Sequence, residues 1–219
     1  MKPILSETEL ERIREAVGEA ERRTSGEIVP YIVERSGGYE VAVWRGAAFA
    51  AVAAMLLAVL LLQFYGGWGL GWLYTAWGMA LVASTAGTLG AVLTATVAPL
   101  KRWLAGADRL DRRVHRRAGL AFLEEEVFTT RDRTGILLFV SLFEHRIEVL
   151  GDAGINSRVT PDEWAAVVDT IRAGVKGGHL ADGLIEAVGM CGRLLEEKGV
   201  AIRHDDTDEL PDNVRLREE

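Results

Sequence analysis

The sequence predicts a small α/β domain, a sheet with helices packed on its faces, which is interrupted by a hairpin of two transmembrane helices. Residues 46–100 contain no Asp, Glu, Lys, Arg or His, whereas the sequence on both sides of them is densely charged. Outside this uncharged block, helical and strand-like hydrophobic patterns follow one another. The charged parts together are long enough for one hydrophobic core, and a sheet covered by helices is the economical way to build it.

The first predicted elements are a helix and a strand. Ser6 and Glu9 have the spacing of a capping box, and apolar residues then recur at helical spacing until the chain reaches Gly26. The β-rich segment 27–34 follows. Because proline lacks a backbone N–H, Pro30 predicts an edge strand or an irregular position.

The uncharged block predicts two membrane spans, residues 46–64 and 73–97, each long enough for a hydrocarbon core of ~30 Å. Basic residues flank the pair, with Arg45 before it and Lys101 and Arg102 after it. The positive-inside rule then predicts a multi-pass protein of the plasma (inner) membrane with both termini in the cytoplasm. Neither span has an ionisable residue, which argues against an ion pathway.

Small residues recur every four positions within each span. Two interpretations follow: the two spans pack on each other, or they pack on another subunit in a homo-oligomer. The residues concerned are Ala47, Ala51 and Met55 in the first span and Ala83, Gly87 and Ala91 in the second.

Beyond the spans, the sequence predicts a helix over 107–127, whose apolar stripe is Leu110, Val114, Ala118 and Phe122. A buried strand is expected over 135–141 and an antiparallel strand over 147–150, joined by a solvated turn at Glu144-His145-Arg146. A second capping box, Thr160 to Glu163, opens another helix, and a last helix is expected over 181–198.

The predicted organisation has three parts. Residues 1–40 and 101–203 form one discontinuous α/β domain, and residues 41–100 form the hairpin. A short strand is expected at 200–202, and residues 204–219 are predicted to be a flexible acidic segment.

Composition and motifs exclude several classes of function. The net charge of −7 argues against general binding of nucleic acids, and the single cysteine, Cys191, cannot form an internal disulfide. There is no P-loop, no His-Glu-x-x-His, no Gly-x-Ser-x-Gly and no paired-cysteine metal spacing.

Four motifs in this order resemble the TPM-domain family, in particular its short bacterial branch with a two-helix insertion. The motifs are Arg133-Thr134-Gly135-Ile136-Leu137-Leu138-Phe139-Val140, Glu144-His145-Arg146-Ile147-Glu148-Val149, Gly151-Asp152-Ala153-Gly154-Ile155 and Thr160-Pro161-Asp162-Glu163-Trp164. The resemblance covers residues 5–35 and 105–200. It implies a small α/β/α sandwich bound to a membrane.

The resemblance also implies functions. A thylakoid-lumen member of the family is associated with photosystem repair and weak acid phosphatase activity, and some members bind divalent cations such as calcium. Bacterial members are often encoded beside LemA-type membrane proteins, which makes such a protein a candidate partner.

The family pattern supplies a candidate site for calcium or magnesium. Many members have Asp-Asn-Gly where this chain has Arg133-Thr134-Gly135, so a cation replaces an acidic ligand. The remaining acidic candidates are Asp132, Asp152 and Asp162. The alternative structural roles are a loop residue, a turn residue and a helix-capping residue, respectively.

A strongly basic segment follows the second span. Residues 101–117 hold seven basic side chains against Asp108 and Asp111. Anionic headgroups attract such juxtamembrane charge. The hypothesis is that this helix lies on the cytoplasmic leaflet, the alternative being an ordinary positive-inside signal. The residues expected to face lipid are Lys101, Arg102, Arg112, Arg113, Arg116 and Arg117.

Two functional hypotheses follow. The favoured one is a membrane-anchored binding or scaffold module that acts on partner proteins at the cytoplasmic membrane surface, in the maintenance of membrane proteins. The alternative is a weak phosphatase that depends on a divalent metal. The sequence favours the first because no convincing catalytic set is present.

Overall fold

The protein was analysed as a computed structural model, which describes residues 4–65, 70–200 and 210–217. The chain divides into two compact units. The sheet unit comprises Met1–Ser36 and Arg112–Glu219, and the hairpin unit comprises Gly37–Asp111. The predicted connection over 66–69, strand residues 201–202 and segment 204–209 lie outside the described residues.

Within the described residues, the sheet unit contains four strands and five of the α-helices. The strands are β1 (Ile28–Val33), β2 (Ile136–Ser141), β3 (Arg146–Gly151) and β4 (Arg215–Arg217). The helices are α1 (Glu7–Glu21), α5 (Ala107–Glu124, whose first turn belongs to the hairpin unit), α6 (Ala153–Asn156), α7 (Pro161–Gly177) and α8 (Leu180–Glu197). The expected α/β class, the capping boxes and the β2–β3 antiparallel pair are confirmed.

The sheet has the order β3-β2-β1-β4 and separates two apolar layers. On one face, Ile28, Ile32 and Leu138 pack with residues of α1, α7 and α8. On the other face, Tyr31 and Phe139 pack with residues of α5. Both central strands are therefore buried on both faces, as the continuous apolar run of β2 predicts. The result is an α/β/α sandwich.

Pro30 lies in an interior strand, so the predicted edge position is wrong. The Leu142 N–H donates to the Val33 carbonyl, so odd-numbered residues of β1 face β2. The Glu34 N–H donates to the Arg217 carbonyl, so even-numbered residues face β4. In the described part of the chain, β4 pairs only with the last three residues of β1, so the β4-facing side of Pro30 lies before the paired stretch. The missing N–H therefore breaks no ladder hydrogen bond.

The predicted flexible C-terminal segment is wrong for residues 210–217, because β4 joins the sheet in parallel with β1. Leu210 is buried in the α5 side of the core. The Arg215 guanidinium donates to the Glu125 carboxylate at 2.7 Å, and Arg217 reaches the same carboxylate at 3.4 Å. These contacts hold a polar segment whose composition alone predicts disorder.

The hairpin unit consists of α2 (Glu40–Tyr65), α3 (Ala76–Thr96) and α4 (Ala98–Ala105), with a 3₁₀ turn at Leu70–Tyr74. The small residues of α2 and α3 face each other. A Cβ on Gly87 would lie 3.6 Å from the Ala51 Cβ, and one on Gly90 would lie 2.4 Å from the Ala50 Cβ. The self-packing interpretation is therefore confirmed for these contacts. Arg45 donates to the Leu104 carbonyl at 2.8 Å, near the end of α4.

Candidate functional site

The three predicted metal-binding aspartates occupy different settings in the sheet unit. Asp152 is buried directly after β3 and caps α6, since its carboxylate accepts from the Ala153 N–H at 2.7 Å. Asp132 is exposed in the loop before β2. Asp162 is exposed in the first turn of α7.

The Asp152 carboxylate is paired with the Arg133 guanidinium. Arg133 donates through Nε to Oδ2 at 2.6 Å and through Nη2 to Oδ1 at 2.9 Å. This two-point pairing with Asp152 raises the pKa of Arg133 further. Arg133 has a positive φ of 57°, and its carbonyl accepts from the Gly154 N–H at 2.9 Å. A Cβ at Gly154 would lie 2.3 Å from the Asp132 carbonyl oxygen, so only glycine fits there.

These positions do not form a ligand group. Within residues 4–65, 70–200 and 210–217, no three His, Cys, Asp or Glu side chains are placed to hold a metal ion. A hard divalent cation needs several oxygens that converge on one point. In this chain both Asp152 oxygens instead bind Arg133, which closes the connection between the end of β3 and the start of β2. Calcium or magnesium binding stays a prediction.

The second capping box accounts for Thr160, and Asp162 lies between its two members. The Thr160 N–H donates to Glu163 Oε2 at 2.7 Å, and the Glu163 N–H donates to Thr160 Oγ1 at 3.3 Å. The Lys198 ammonium contacts Glu163 Oε1 at 2.7 Å and ties the box to the end of α8. The geometry thus assigns this end of α7 a structural role.

At the opposite end of the sheet, a buried carboxylate joins the ends of β1 and β2. Glu144 accepts from the Ser36 N–H at 2.8 Å and from the Ser141 hydroxyl. Because the Ser141 proton points to Glu144, the Ser36 hydroxyl donates to Ser141 Oγ at 2.7 Å. The prediction of a solvated turn is therefore wrong for Glu144, which is buried among backbone and hydroxyl donors.

A cavity of about 300 Å³ opens beside this network. Four basic residues line it: His145 from the β2–β3 turn, Arg146 at the start of β3, and Arg172 and Lys176 from α7. Sequence reasoning missed it. The only signal was the four-residue spacing of Arg172 and Lys176, which places them on one helix face, and nothing in the sequence joins that face to the turn.

The comparison with known protein families matches one segment of the chain, which runs from the start of α5 into α8. Residues 106–194 match the sequence model of the TPM domain. The chain carries a TPM domain. The match confirms the resemblance over most of the sheet unit's C-terminal part, and it begins just before α5.

A solved structure shares the fold. The NMR structure of the BA42 protein from the psychrophilic bacterium Bizionia argentinensis superposes with a TM-score of 0.60 at 19% sequence identity, covering 99% of this chain and 97% of that chain. At this identity the likeness shows the fold alone. No protein with a curated description matches the sequence.

The first helix of the TPM domain, α5, carries most of the residues predicted to face lipid. Arg112, Arg113 and Arg116 are exposed. Arg117 differs, since it donates to the Tyr31 hydroxyl at 2.5 Å and its guanidinium carbon lies 5.3 Å from the centre of that ring. Arg117 is three residues after Val114 and so lies beside the apolar stripe rather than opposite it. Lys101 and Arg102, in the hairpin unit, are half-buried.

The hairpin preceding the TPM domain presents large apolar side chains to the outside. Glu40–Phe64 and Ala76–Thr96 are long and apolar enough to cross a membrane, with only 11% and 17% of their most apolar windows buried. Phe64 is 78% exposed and Trp77 is 86% exposed. Such surfaces are rare on proteins that are surrounded by water.

Proposed function

We propose that this protein is a membrane-anchored binding or scaffold module, whose TPM domain acts on partner proteins at the cytoplasmic surface of the plasma membrane. One observation carries the proposal: two adjacent helices of spanning length expose large apolar side chains along their length. Lipid tails would cover these side chains at no cost in hydrogen bonding, because helix backbones satisfy their own polar groups. The sheet unit, which contains most of the TPM domain, is then held at the bilayer by covalent connection to both ends of the hairpin unit.

The charge distribution supports the orientation. The connection between the spans has no charged residue, whereas Arg45, Lys101 and Arg102 stand at the other ends of the two helices. Basic residues are retained on the cytoplasmic side of short membrane hairpins. We therefore place both termini and the TPM domain in the cytoplasm.

The partner proposed is a second membrane protein, such as a LemA-type protein, as the family resemblance implies. The small residues of α2 and α3 are used in packing these helices on each other. We therefore assign partner binding to the TPM domain and not to the small-residue faces of the spans, and we propose no homo-oligomer through those faces.

Single-cysteine labelling in whole cells tests the anchoring and its orientation. The native thiol is silent, because Cys191 is fully buried and burial raises its pKa to about 12. Gly71→Cys places a thiol in the connection between the spans, and Gly119→Cys places one on α5 of the TPM domain. An added Cβ meets no atom within 4 Å at either glycine, so the two variants are matched.

A membrane-impermeant maleimide should label Gly71→Cys in intact cells and Gly119→Cys only after permeabilisation. The unmodified protein should stay unlabelled in both conditions. Labelling of both variants from outside would reject the cytoplasmic placement. Recovery of the protein in the soluble fraction without detergent would reject the anchoring itself.

The phosphatase alternative is tested on the same purified protein. Phosphate release from a chromogenic phosphate ester, measured with magnesium or calcium, should be no greater than in the matched Asp132→Asn and Asp152→Asn variants. Metal-dependent turnover that both variants lose with their fold intact would favour the phosphatase over the binding module.

A further inference from the structure

We propose that the outer edge of β3 binds an extended peptide segment of a partner protein, which pairs with β3 as an additional strand of the sheet. The inference rests on the binding function proposed above for the TPM domain, and it names the surface and the kind of partner. β3 is the edge strand of the order β3-β2-β1-β4. Sheet edges bind extended peptides through main-chain hydrogen bonds, and pockets beside the edge select the side chains.

The backbone groups along the outer edge of β3 are open. The Asp152 N–H donates to the Gly135 carbonyl, so even-numbered residues of β3 bond to β2 and odd-numbered residues face outward. The outward residues are Ile147, Val149 and Gly151. In the part of the chain that the structure describes, no outward N–H or carbonyl of these residues has a hydrogen-bond partner. The edge therefore offers donors and acceptors in alternation to an incoming strand.

Two common protections against strand addition are missing from β3. All six of its residues pair with β2 in one continuous register, so no bulge twists the strand away, and it contains no proline. Each residue of β3 is partly exposed, whereas every residue of β2 is buried. The Glu148 carboxylate is turned to the α5 side of the sheet, where it lies 3.0 Å from His115. The edge itself stays accessible.

The basic cavity, of about 300 Å³ and lined by four basic residues, lies next to the outward residue Ile147 and gives the edge a side-chain pocket. Residues opposite each other in neighbouring strands place their side chains on the same face of the sheet. A peptide residue opposite Ile147 thus shares the α7 face with the Ile147 side chain, at the cavity. The apolar walls are formed by Ile147, Val140, Leu142 and Val175. An apolar peptide side chain is therefore expected there.

The remainder of the edge selects the same kind of residue. Val149 packs against the apolar core on the α7 face. At the far end of β3, a Cβ on Gly151 would lie 3.1 Å from the Trp164 ring, so a peptide residue opposite Gly151 also comes close to an aromatic surface. Because side chains alternate along a strand, the expected ligand is a segment of alternating apolar and polar residues, whose apolar side chains face α7.

A second copy of this chain matches the edge less well. In the antiparallel register that joins all the outward residues to those of a second β3, Gly151 of one copy lies opposite Ile147 of the other. Glycine has no side chain to enter the basic cavity. A segment of another protein can carry a larger apolar residue at that position. The occupant we assign is therefore such a segment.

Matched peptides test strand pairing on the full chain in nanodiscs of uncharged lipid. The probe is a fluorescent peptide with a soluble polar tail, in which valine and threonine alternate over six residues, the length of β3. One derivative is N-methylated at the valines and the other at the threonines. In an antiparallel pair, which is the more stable kind, residues opposite the outward residues of β3 direct their N–H groups to β3. Methylated valines should abolish the anisotropy change, and methylated threonines should preserve it. Equal binding of both derivatives would overturn strand pairing.

A further peptide tests the cavity. In the antiparallel pair the last valine lies opposite Ile147. Replacing this valine by glycine should weaken binding by about tenfold, because the burial of an apolar side chain is lost. Unchanged affinity would show that the cavity takes no peptide side chain.

Variants of Val149 locate the binding on the chain. Val149→Pro removes an outward N–H, and edge strands tolerate proline where the missing N–H faces outward. Val149→Ala is the matched control, since it shortens the same side chain and keeps the N–H. Val149→Pro should bind the peptide about fivefold more weakly than Val149→Ala, the effect of one hydrogen bond. Equal affinity of two folded variants would overturn the edge assignment. Should Val149→Pro fail to fold, the methylated peptides decide the question on the unmodified chain.

Three outcomes separate this inference from neighbouring ones. A chain that is labelled as membrane-anchored with a cytoplasmic TPM domain, yet binds none of the peptides, would overturn the edge inference and leave the anchoring intact. A membrane protein that crosslinks equally to the unmodified chain and to Val149→Pro would place partner binding elsewhere on the TPM domain. Dimerisation that Val149→Pro abolishes would identify a second copy as the occupant and overturn the assignment to a partner protein.

Discussion

The Arg133 guanidinium binds both carboxylate oxygens of Asp152, at 2.6 and 2.9 Å. This pairing joins the residue that follows β3 to a residue in the loop before β2. Asp152 also caps α6 through the Ala153 N–H. One side chain therefore serves the hairpin of β2 and β3 and the start of the next helix. The negative charge of Asp152 is balanced by the Arg133 guanidinium.

Asp152→Ala should lower the free energy of unfolding by about 2 kcal/mol, since it removes a helix cap and the charge-assisted hydrogen bonds from Arg133. Arg133→Ala should cost at least as much, because it leaves the Asp152 carboxylate, only 5% exposed, without its charged partner. Arg133→Gly should be milder than Arg133→Ala, because Arg133 has a positive φ that glycine adopts without strain. Thermal unfolding of the detergent-solubilised chain gives the order, and an order with Arg133→Gly most destabilised would contradict it.

Calcium and magnesium should leave the melting temperature of the unmodified chain unchanged. Both Asp152 oxygens are used by Arg133, and the described residues offer no group of three ligands. An ion that bound only the folded state would raise the melting temperature in proportion to the logarithm of its concentration. Such a rise, reversed by a chelator and lost in Asp152→Asn, would instead support the metal site expected from the family.

The C-terminal strand should be needed for stability of the sheet unit. Arg215 and Glu125 have side chains only 12% and 13% exposed, and they join β4 to the residue that follows α5. Glu125→Ala should cost about 2–3 kcal/mol, since it removes the carboxylate that pairs with the largely buried Arg215 guanidinium. Glu197→Ala, at an exposed glutamate of α8, is the control and should be nearly neutral.

A chain ending at residue 209 should lose more than Glu125→Ala, because it uncovers the edge of β1 and the site of Leu210. An exposed edge strand also pairs readily with other chains. We therefore expect the truncated chain to aggregate in detergent during size-exclusion chromatography. A monodisperse truncated chain with the full-length melting temperature would refute the role of β4.

Stability should fall in acid as Glu163 becomes protonated. A hydrogen bond from Lys198 and one from the Thr160 backbone lower the pKa of Glu163 from 4.5 to about 2. Because the pKa of Glu163 is lower in the folded state, its ionised carboxylate stabilises the protein above pH 4.5. The protein loses this stabilisation as the pH falls towards 2. The melting temperatures of Glu163→Gln and the unmodified chain should therefore differ at pH 6 and converge below about pH 2.

Lys198→Gln checks the cause of this pKa shift. Carbon-13 titration of the carboxyl should show the Glu163 pKa moving up towards its ordinary value, because the first partner of the carboxylate is gone. An unchanged Glu163 pKa in Lys198→Gln would assign the whole shift to the capping box.

Exposed arginines of α5 should enrich anionic lipid around the protein. Changing Arg112, Arg113 and Arg116 together to Gln should reduce the phosphatidylglycerol that is retained in polymer nanodiscs extracted from membranes, since each basic residue near the surface contributes ~1 kcal/mol. The matched control changes Arg14, Arg22 and Arg193, which are exposed on α1, its C-terminal end and α8. Equal lipid content in the two triple variants would reject a role for α5.

Much of the fold follows from local patterns along the chain. The capping boxes at Ser6 and Thr160 fix where two helices begin, because the required side chains lie three residues apart. The continuous apolar run of β2 predicts burial on both faces, and the close second run predicts an antiparallel partner. The uncharged block by itself indicates two helices of spanning length. Periodicity, composition and spacing are properties of neighbouring residues, so the sequence displays them directly.

Other features depend on residues that are distant in the chain, and only the tertiary structure decides them. The pairing of β4 with β1 places Pro30 in an interior strand, although proline alone predicts an edge. The sequence predicts that Glu144 is a solvated turn residue. In the fold, it accepts a hydrogen bond from Ser36, which lies more than a hundred positions earlier in the chain. The basic cavity likewise needs α7 to pack beside the β2–β3 turn. Burial and charge proximity arise from such packing, so a one-dimensional pattern of polar residues cannot distinguish a solvated side chain from an enclosed one.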